Sequence, residues 1–511
     1  MSRTVEQIAA LGTHANKIST DSLAIRVQAH PVPSVSARSI RSVKQGSGRN
    51  EDIELATLGR PDSKTRHQVG TESNEKELAP QAQEHPASSI ESDNAEKWGA
   101  RLQFATVCWS ILTIGWNDGA TGPLLPRIQD HYHVGYAVVS LIFTLNFVGF
   151  IVGALANVYI VDKLGFGKAM VIGASIQLIG YAIQSAAPPF PLFVAAYGIN
   201  GVGLALQDAG GNAYVASLKD NSKTKMALLH SIYGNLMLRY GFARHGFTNN
   251  TGTGVFLSPL SSTQFSKISH WSFQYLTALG VTLVNIVFLI SVFRFRRLEV
   301  ALADVGQART ETSSPSNGEN KYRQIFRIKE VHYLATMLLI YIGVAVTIGG
   351  WSVTYIINVR GGGSNSGYIS SGFGGGVALG RLALLGITKL LGDRNAVFLY
   401  ILLAICLELV VWLVPSLIGD AIAVSFVGFV LGPIYPIVIS HAGKILPHWL
   451  FAGCVGWIAG FGQAGSAFVP LITGAIASAR GIEALQPLMV AMMGAMLVLW
   501  LIIPSTARRP E

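Results

Sequence analysis

From residue 100 onward the chain alternates between apolar runs and short polar connections. A helix of about 20 residues, rising ~1.5 Å per residue, crosses a hydrocarbon layer of ~30 Å. Each run therefore predicts a membrane span. We read twelve, at 103–124, 136–159, 169–187, 191–216, 226–260, 270–293, 333–356, 367–388, 396–414, 418–440, 449–477 and 484–503. A polar connection at 294–332 divides them six and six. The expected architecture is an all-α polytopic membrane protein with helical halves at 100–293 and 333–504 and a short tail at 505–511.

Charge sets the expected orientation. Lys163, Lys168, Lys219, Lys223, Lys225, Arg294, Arg296, Arg297, Lys389, Arg394, Lys444, Arg508 and Arg509 fall in even-numbered connections or the tail. Odd-numbered connections carry stray charges such as Arg127, Lys267, Arg360 and Arg480. The positive-inside rule then places both termini and the central connection in the cytosol. Residues 1–95 are rich in Ser, Glu, Gln, Ala and Pro. They bury too little apolar surface to offset ordering entropy, so they read as a disordered cytosolic tail, passive or regulatory.

Composition agrees with this pattern. Half the residues are apolar and 13% are charged, where a soluble chain carries about 25%. The net charge of +10 lies at helix ends, so it implies no nucleic acid. Cys108, Cys406 and Cys454 lie in or near apolar runs without a metal-binding spacing. No nucleotide-binding loop, nucleophile triad or metal cluster is found. The chain reads as no enzyme, needs no cofactor, and is expected to be partnered by a bilayer.

Two connections echo each other. VDKLGFGKAM carries Asp162, Lys163, Gly165 and Lys168, and ITKLLGDRNA carries Gly392, Asp393 and Arg394. Such duplication is expected of folds with a central site between two repeats. VDKLGFGK resembles the major facilitator signature between spans 2 and 3, with Val158 where a leading glycine is usual. NDGATGPLLP, GLALQDAGGNAYVA, VTIGGWSVTYIINVRGGGSNSGYISSGFGGGVALGR and GWIAGFGQAGSAFVPLITG resemble, in order and spacing, the fungal bypass-of-stop-codon branch related to fucose:proton symporters. The resemblance covers about residues 100–505. It implies the major facilitator fold and secondary transport by alternating access. Ala345 stands where that branch usually carries an acid, which leaves the substrate open.

Intramembrane acids are costly in hydrocarbon, face cavities and bind protons. Asp118 in span 1 and Asp208 in span 4 are the candidates, and the resemblance implies coupling and substrate binding for both. Glu408 in span 9 reads as structural or interfacial. Candidate substrate contacts are Asn117, Gln207, Asn212, His230, Tyr233, Trp351, Thr354, Asn358, Tyr435 and Gln463, a set of amides, hydroxyls and rings suited to a polar solute. Gly432-Pro433 and Pro436 predict a discontinuous tenth span.

The fifth run is over-long. It contains Arg239, Arg244 and His245, and Asn249-Asn250-Thr251 matches a glycosylation acceptor. Without residues 235–252 it reads SIYG-TGVFLSPL, which fits the branch without a gap. The codons at both ends permit splice signals, so we read 235–252 as a translated intron, and the acceptor at Asn249 as meaningless. A re-entrant insertion lining a cavity is the alternative. The function expected is proton-coupled movement of a small organic solute, at the plasma membrane rather than a vacuolar or other internal one. Proton-driven efflux of a metabolite or toxic compound, and a non-transporting sensor or defective product, are the alternatives.

Overall fold

The computed structural model describes residues 86–222, 254–307, 321–447 and 450–505, with a few positions between 225 and 229. The readings on residues 1–85, on His230, Tyr233, Asn249 and the 235–252 segment, and on residues 506–511 lie outside these described residues. Among the described residues every regular element is helical. The helices of the N-terminal half are α1 Pro86–Tyr132, α2 Tyr136–Leu164, α3 Phe166–Ser185, α4 Phe190–Ala216, α5 Gly254–Ser266 and α6 Trp271–Phe293. Those of the C-terminal half are α7 Lys329–Arg360, α8 Tyr368–Ala383, α9 Leu385–Leu413, α10 Leu417–Ile445, α11 Gly453–Arg480 and α12 Ile482–Ile502.

Nine of these are long and apolar enough to cross a membrane by length and composition. The other three are α1, α5 and α8. α1 begins at Pro86, inside the segment read as disordered, so residues 86–95 are helical. α8 runs through Leu384 into the start of α9, and the chain reverses at Gly392 rather than between the two helices. The tenth span is two helical pieces, Leu417–Leu431 and Ile434–Ile445, broken at Gly432-Pro433. The break follows from the proline, which has no N–H to continue the ladder.

The halves repeat one another in their packing. α2 packs along α4, and α8 along α10. In the first pair Gly149 lies on the Gly198 carbonyl and Gly201 on the Asn146 carbonyl; in the second Gly376 lies on the Ser425 carbonyl and Gly380 on the Phe429 carbonyl. A methyl group at any of these would overlap the neighbouring backbone, so the close approach depends on small residues. The two echoing connections also turn alike. Gly165 has φ 85° and ψ 165°, and Gly392 has φ 75° and ψ 156°, a region open to glycine and strained for other residues.

We call the helix ends that bear the central connection the near end, and the opposite ends the far end. At the far end the halves share one apolar core, in which Leu124, Phe143 and Tyr197 join Ile348, Trp351 and Tyr355. At the near end the N-terminal half has a separate core around Phe104, Met170, Tyr214 and Phe293. Among the described residues, hydrogen bonds join the halves towards the far end. Asn358 donates to the Tyr136 hydroxyl at 3.0 Å, Lys267 to Asn365 at 2.7 Å, and Gln264 to the Tyr368 hydroxyl. The Ala137 N–H donates to Ser478 at 2.9 Å, and Ser140 to the Pro470 carbonyl at 3.4 Å. The described conformation is therefore closed at the far end.

Candidate transport site

The two acids are set by the two helices that line the middle of the N-terminal half. α1 is held among α4, α5, α6, α7 and α8, yet Asp118, midway along its apolar stretch, is exposed. An exposed group on a helix so surrounded faces the space between the halves. Asn117 beside it is buried; its amide donates to the Asp118 carboxylate at 3.2 Å, and its oxygen accepts from the Tyr181 hydroxyl at 3.3 Å. Asp208 on α4 is half-buried and accepts from the Asn212 amide at 3.1 Å. Asp118 and Asp208 are close enough to act on each other electrostatically. The structure thus gathers Asn117, Asp118, Asp208 and Asn212 in one region.

Across from them stands the C-terminal half. Tyr435 on α10 lies within electrostatic range of Asp208, and its ring centroid is 6.4 Å from that of Tyr341 on α7. Arg381 of α8 stands beside both phenols and donates from Nε to the Gly432 carbonyl at 3.2 Å. That carbonyl is one the broken tenth span would otherwise leave without a helical partner. The acids of one half thus oppose two phenols and a guanidinium of the other. Tyr341 and Arg381 were missed in the sequence. The available signal was an arginine within a glycine-rich span, about 16 Å of helix above the turn at Gly392.

Other candidates fall elsewhere. Gln207 is fully buried and turned into its own half. It donates to Gln177 and accepts from Asn285 at 2.5 Å, and Ser110 donates to Asn285 at 2.9 Å. That chain knits α1, α3, α4 and α6. Trp351 is fully buried, edge-on to Tyr136 at 5.8 Å, within the far-end closure that Asn358 also joins. The Trp351 Nε1 and Thr354 Oγ1 atoms are buried without a partner among the described residues. Gln463 is half-buried at the joint inside α11, where Ser466 donates to its carbonyl at 2.7 Å. A groove of about 250 Å³ opens at the far end beside Gly363, Tyr368, Leu417 and Ser425, away from the acids.

A family model described as Major Facilitator Superfamily matches residues 107–450. The chain belongs to the major facilitator superfamily. It is similar to Bypass of stop codon protein 6 of Saccharomyces cerevisiae, 23% identical over 439 residues that cover 80% of this chain and 84% of the relative. Its fold is similar to that of a point mutant of the nucleoside transporter NupG, seen in a crystal structure, at a TM-score of 0.60 and 11% identity, covering 79% of this chain and 99% of that one. This facilitator is therefore a multi-pass membrane protein that moves a solute across a membrane, a transporter rather than an enzyme.

Two further features of the facilitator lie at its near end. Gly165 seats against the side chain of Arg297, and the Gly167 N–H donates to the Arg296 carbonyl at 3.0 Å, so the first motif docks on the start of the central connection. Lys163 bonds the Tyr159 hydroxyl one turn back on the same helix, while Asp162 and Lys168 are exposed. In the second motif Asp393 pairs with Lys444 of α10. Arg394 donates to the Ile503 carbonyl at 2.6 Å and the Leu501 carbonyl at 3.1 Å, and the Trp500 indole donates to the Arg394 carbonyl at 3.0 Å. The echoing motifs share a backbone turn and differ in what they hold.

Proposed function

We propose that this facilitator is a proton-coupled secondary transporter of a small polar organic solute, working by alternating access between its two halves. The observation that carries the reading is the pair Asp118 and Asp208, two acids from two helices within electrostatic range of each other on the inner face of the N-terminal half. A carboxylate at that depth is costly unless it faces water, a proton or a partner. Two of them within range of each other suit alternate proton loading and release. Asn117, Asn212, Tyr341, Tyr435 and Arg381 supply amide, phenol and guanidinium donors around the same space, and rings against which a flat or cyclic solute packs. Trp351, Thr354 and Asn358 join this lining once the far end opens. Gln207 supports the wall from behind.

The near end is the cytosolic end, by the distribution of lysine and arginine, so the conformation described faces inward. Uptake is the reading we favour, at the plasma membrane and as a monomer. Efflux would use the same acids with the solute loaded from the near end.

The test is uptake of a panel of labelled sugars and nucleosides by proteoliposomes, at two external pH values, with and without Asp208→Asn. The intact protein is expected to accumulate at least one of them against its gradient when the outside is acidic. The variant is expected to equilibrate it without accumulating it. Accumulation by the variant with unchanged pH dependence would overturn the assignment of Asp208.

A further inference from the structure

A second set of buried ionisable groups lies at the far end of the C-terminal half, away from Asp118 and Asp208. Arg360 ends α7, Glu408 lies one turn before the end of α9, and Asp420 lies in the first turn of α10. Arg360 Nε donates to Asp420 Oδ2 at 2.9 Å. Its terminal nitrogen donates to the Val411 carbonyl at 2.6 Å and the Trp412 carbonyl at 3.2 Å, capping the last turn of α9. The guanidinium also lies over the Tyr355 ring at 5.4 Å. One arginine thus ties together the ends of three helices.

Glu408 stands outside these bonds. It is 1% exposed and Asp420 is fully buried, and one oxygen of each, Oε2 and Oδ1, is buried without a hydrogen-bond partner among the described residues. The two carboxyls are close enough to repel when both are charged. Among the described residues, Tyr355 on α7 lies within range of both carboxyls, and of Glu483 at the start of α12. His441, Lys444 and Arg381, on helices that pack against α9, lie at or towards the near end.

Charge counting then decides the protonation. One guanidinium neutralises one of two buried carboxylates. A second, uncompensated charge in such a place is disfavoured by about several kcal/mol, and the group takes up a proton instead. Asp420 keeps its charge, because it holds the guanidinium and sits at a helix N-terminus, where the backbone dipole favours an anion. Glu408 has neither support.

We propose that Glu408 is a proton-binding site in the C-terminal half, separate from the central acids and linked to closure of the far end. It holds its proton while Arg360 is paired with Asp420. Once Glu408 ionises it competes for Arg360 and loosens the end of α7, and with it the bond from Asn358 to Tyr136 that joins the halves.

The test is infrared spectroscopy of the full chain, purified into nanodiscs, while the bath pH is raised from neutral. The intact protein is expected to show at neutral pH a carbonyl stretch of a protonated carboxylic acid that Glu408→Gln lacks. An unchanged band in Glu408→Gln would overturn the proposal. Should that variant fold poorly, the intact protein grown on carboxyl-¹³C glutamate gives the same answer. The band shifts if a glutamate carries the proton, and a shift only with ¹³C aspartate would refute the site. Arg360→Gln is expected to add a second acid band as Asp420 loses its partner, and no added band would refute the link to Arg360.

Discussion

Replacing Gln207 by leucine separates a wall-supporting role from a substrate-contacting one. Leucine has similar bulk and no polar atoms. The change removes the bond to Gln177 and the bond from Asn285, and leaves the Gln177 oxygen and the Asn285 amide facing an apolar neighbour. Interhelical hydrogen bonds in membrane proteins contribute about 0.6–2 kcal/mol each, so the loss of two predicts a destabilisation of about 1–4 kcal/mol. Ser110, bonded to the other end of Asn285, retains its bond, which keeps the effect below that of deleting the whole chain. The assay is thermal unfolding of the purified protein followed by tryptophan fluorescence, beside the concentration dependence of solute uptake. A lower unfolding temperature with unchanged KM is expected. A KM raised tenfold or more at unchanged unfolding temperature would show that Gln207 meets the solute and would refute the reasoning.

Further expectations follow from the packing and the gate. Gly201→Leu and Gly380→Leu each drive a side chain into a carbonyl of the neighbouring helix, and overpacking costs about 1–3 kcal/mol or more; both variants should give much reduced yields of folded protein, and normal yields would show the close approaches to be unnecessary. Lys267→Ala removes a cross-half bond to Asn365 at the far end. It should raise the labelling rate of a cysteine introduced at Thr354 by a membrane-impermeant reagent added from the far side, and an unchanged rate would show that this bond does not contribute to closure. Sequencing the transcript across codons 230–258 tests the reading of residues 235–252. Their codons should be absent, because two arginines at mid-membrane are disfavoured by about 2.5–3.5 kcal/mol each. Their presence would require a cavity for Arg239 and Arg244.

The sequence carried the architecture further than it carried the site. Long apolar runs and the basic connections marked the helices and the halves, because a bilayer imposes length and polarity on every span. The echo of Gly165 and Gly392 was readable because only glycine adopts that turn without strain. The polar start of α1 was not, since residues 86–95 resemble the tail before them. Which way a polar side chain points is set by packing among helices. Gln207 and Asp208 are neighbours in the chain, yet one is buried among α3 and α6 while the other opens towards Tyr435. Arg381 was hidden in a glycine-rich stretch that reads as packing surface. Glu408 reads in the sequence as structural or interfacial, and only its burial on α9 beside Arg360 and Asp420 shows it to be enclosed.

The central claim, that solute and proton move together through this facilitator, is tested most directly by proton flux. Proteoliposomes holding a pH-sensitive dye are given, with no initial pH gradient, an inward gradient of whichever panel solute the protein takes up. Acidification of the interior that begins with solute entry, and that vanishes in Asp208→Asn, is the predicted result. Solute entry with no change of internal pH in the intact protein would contradict the account.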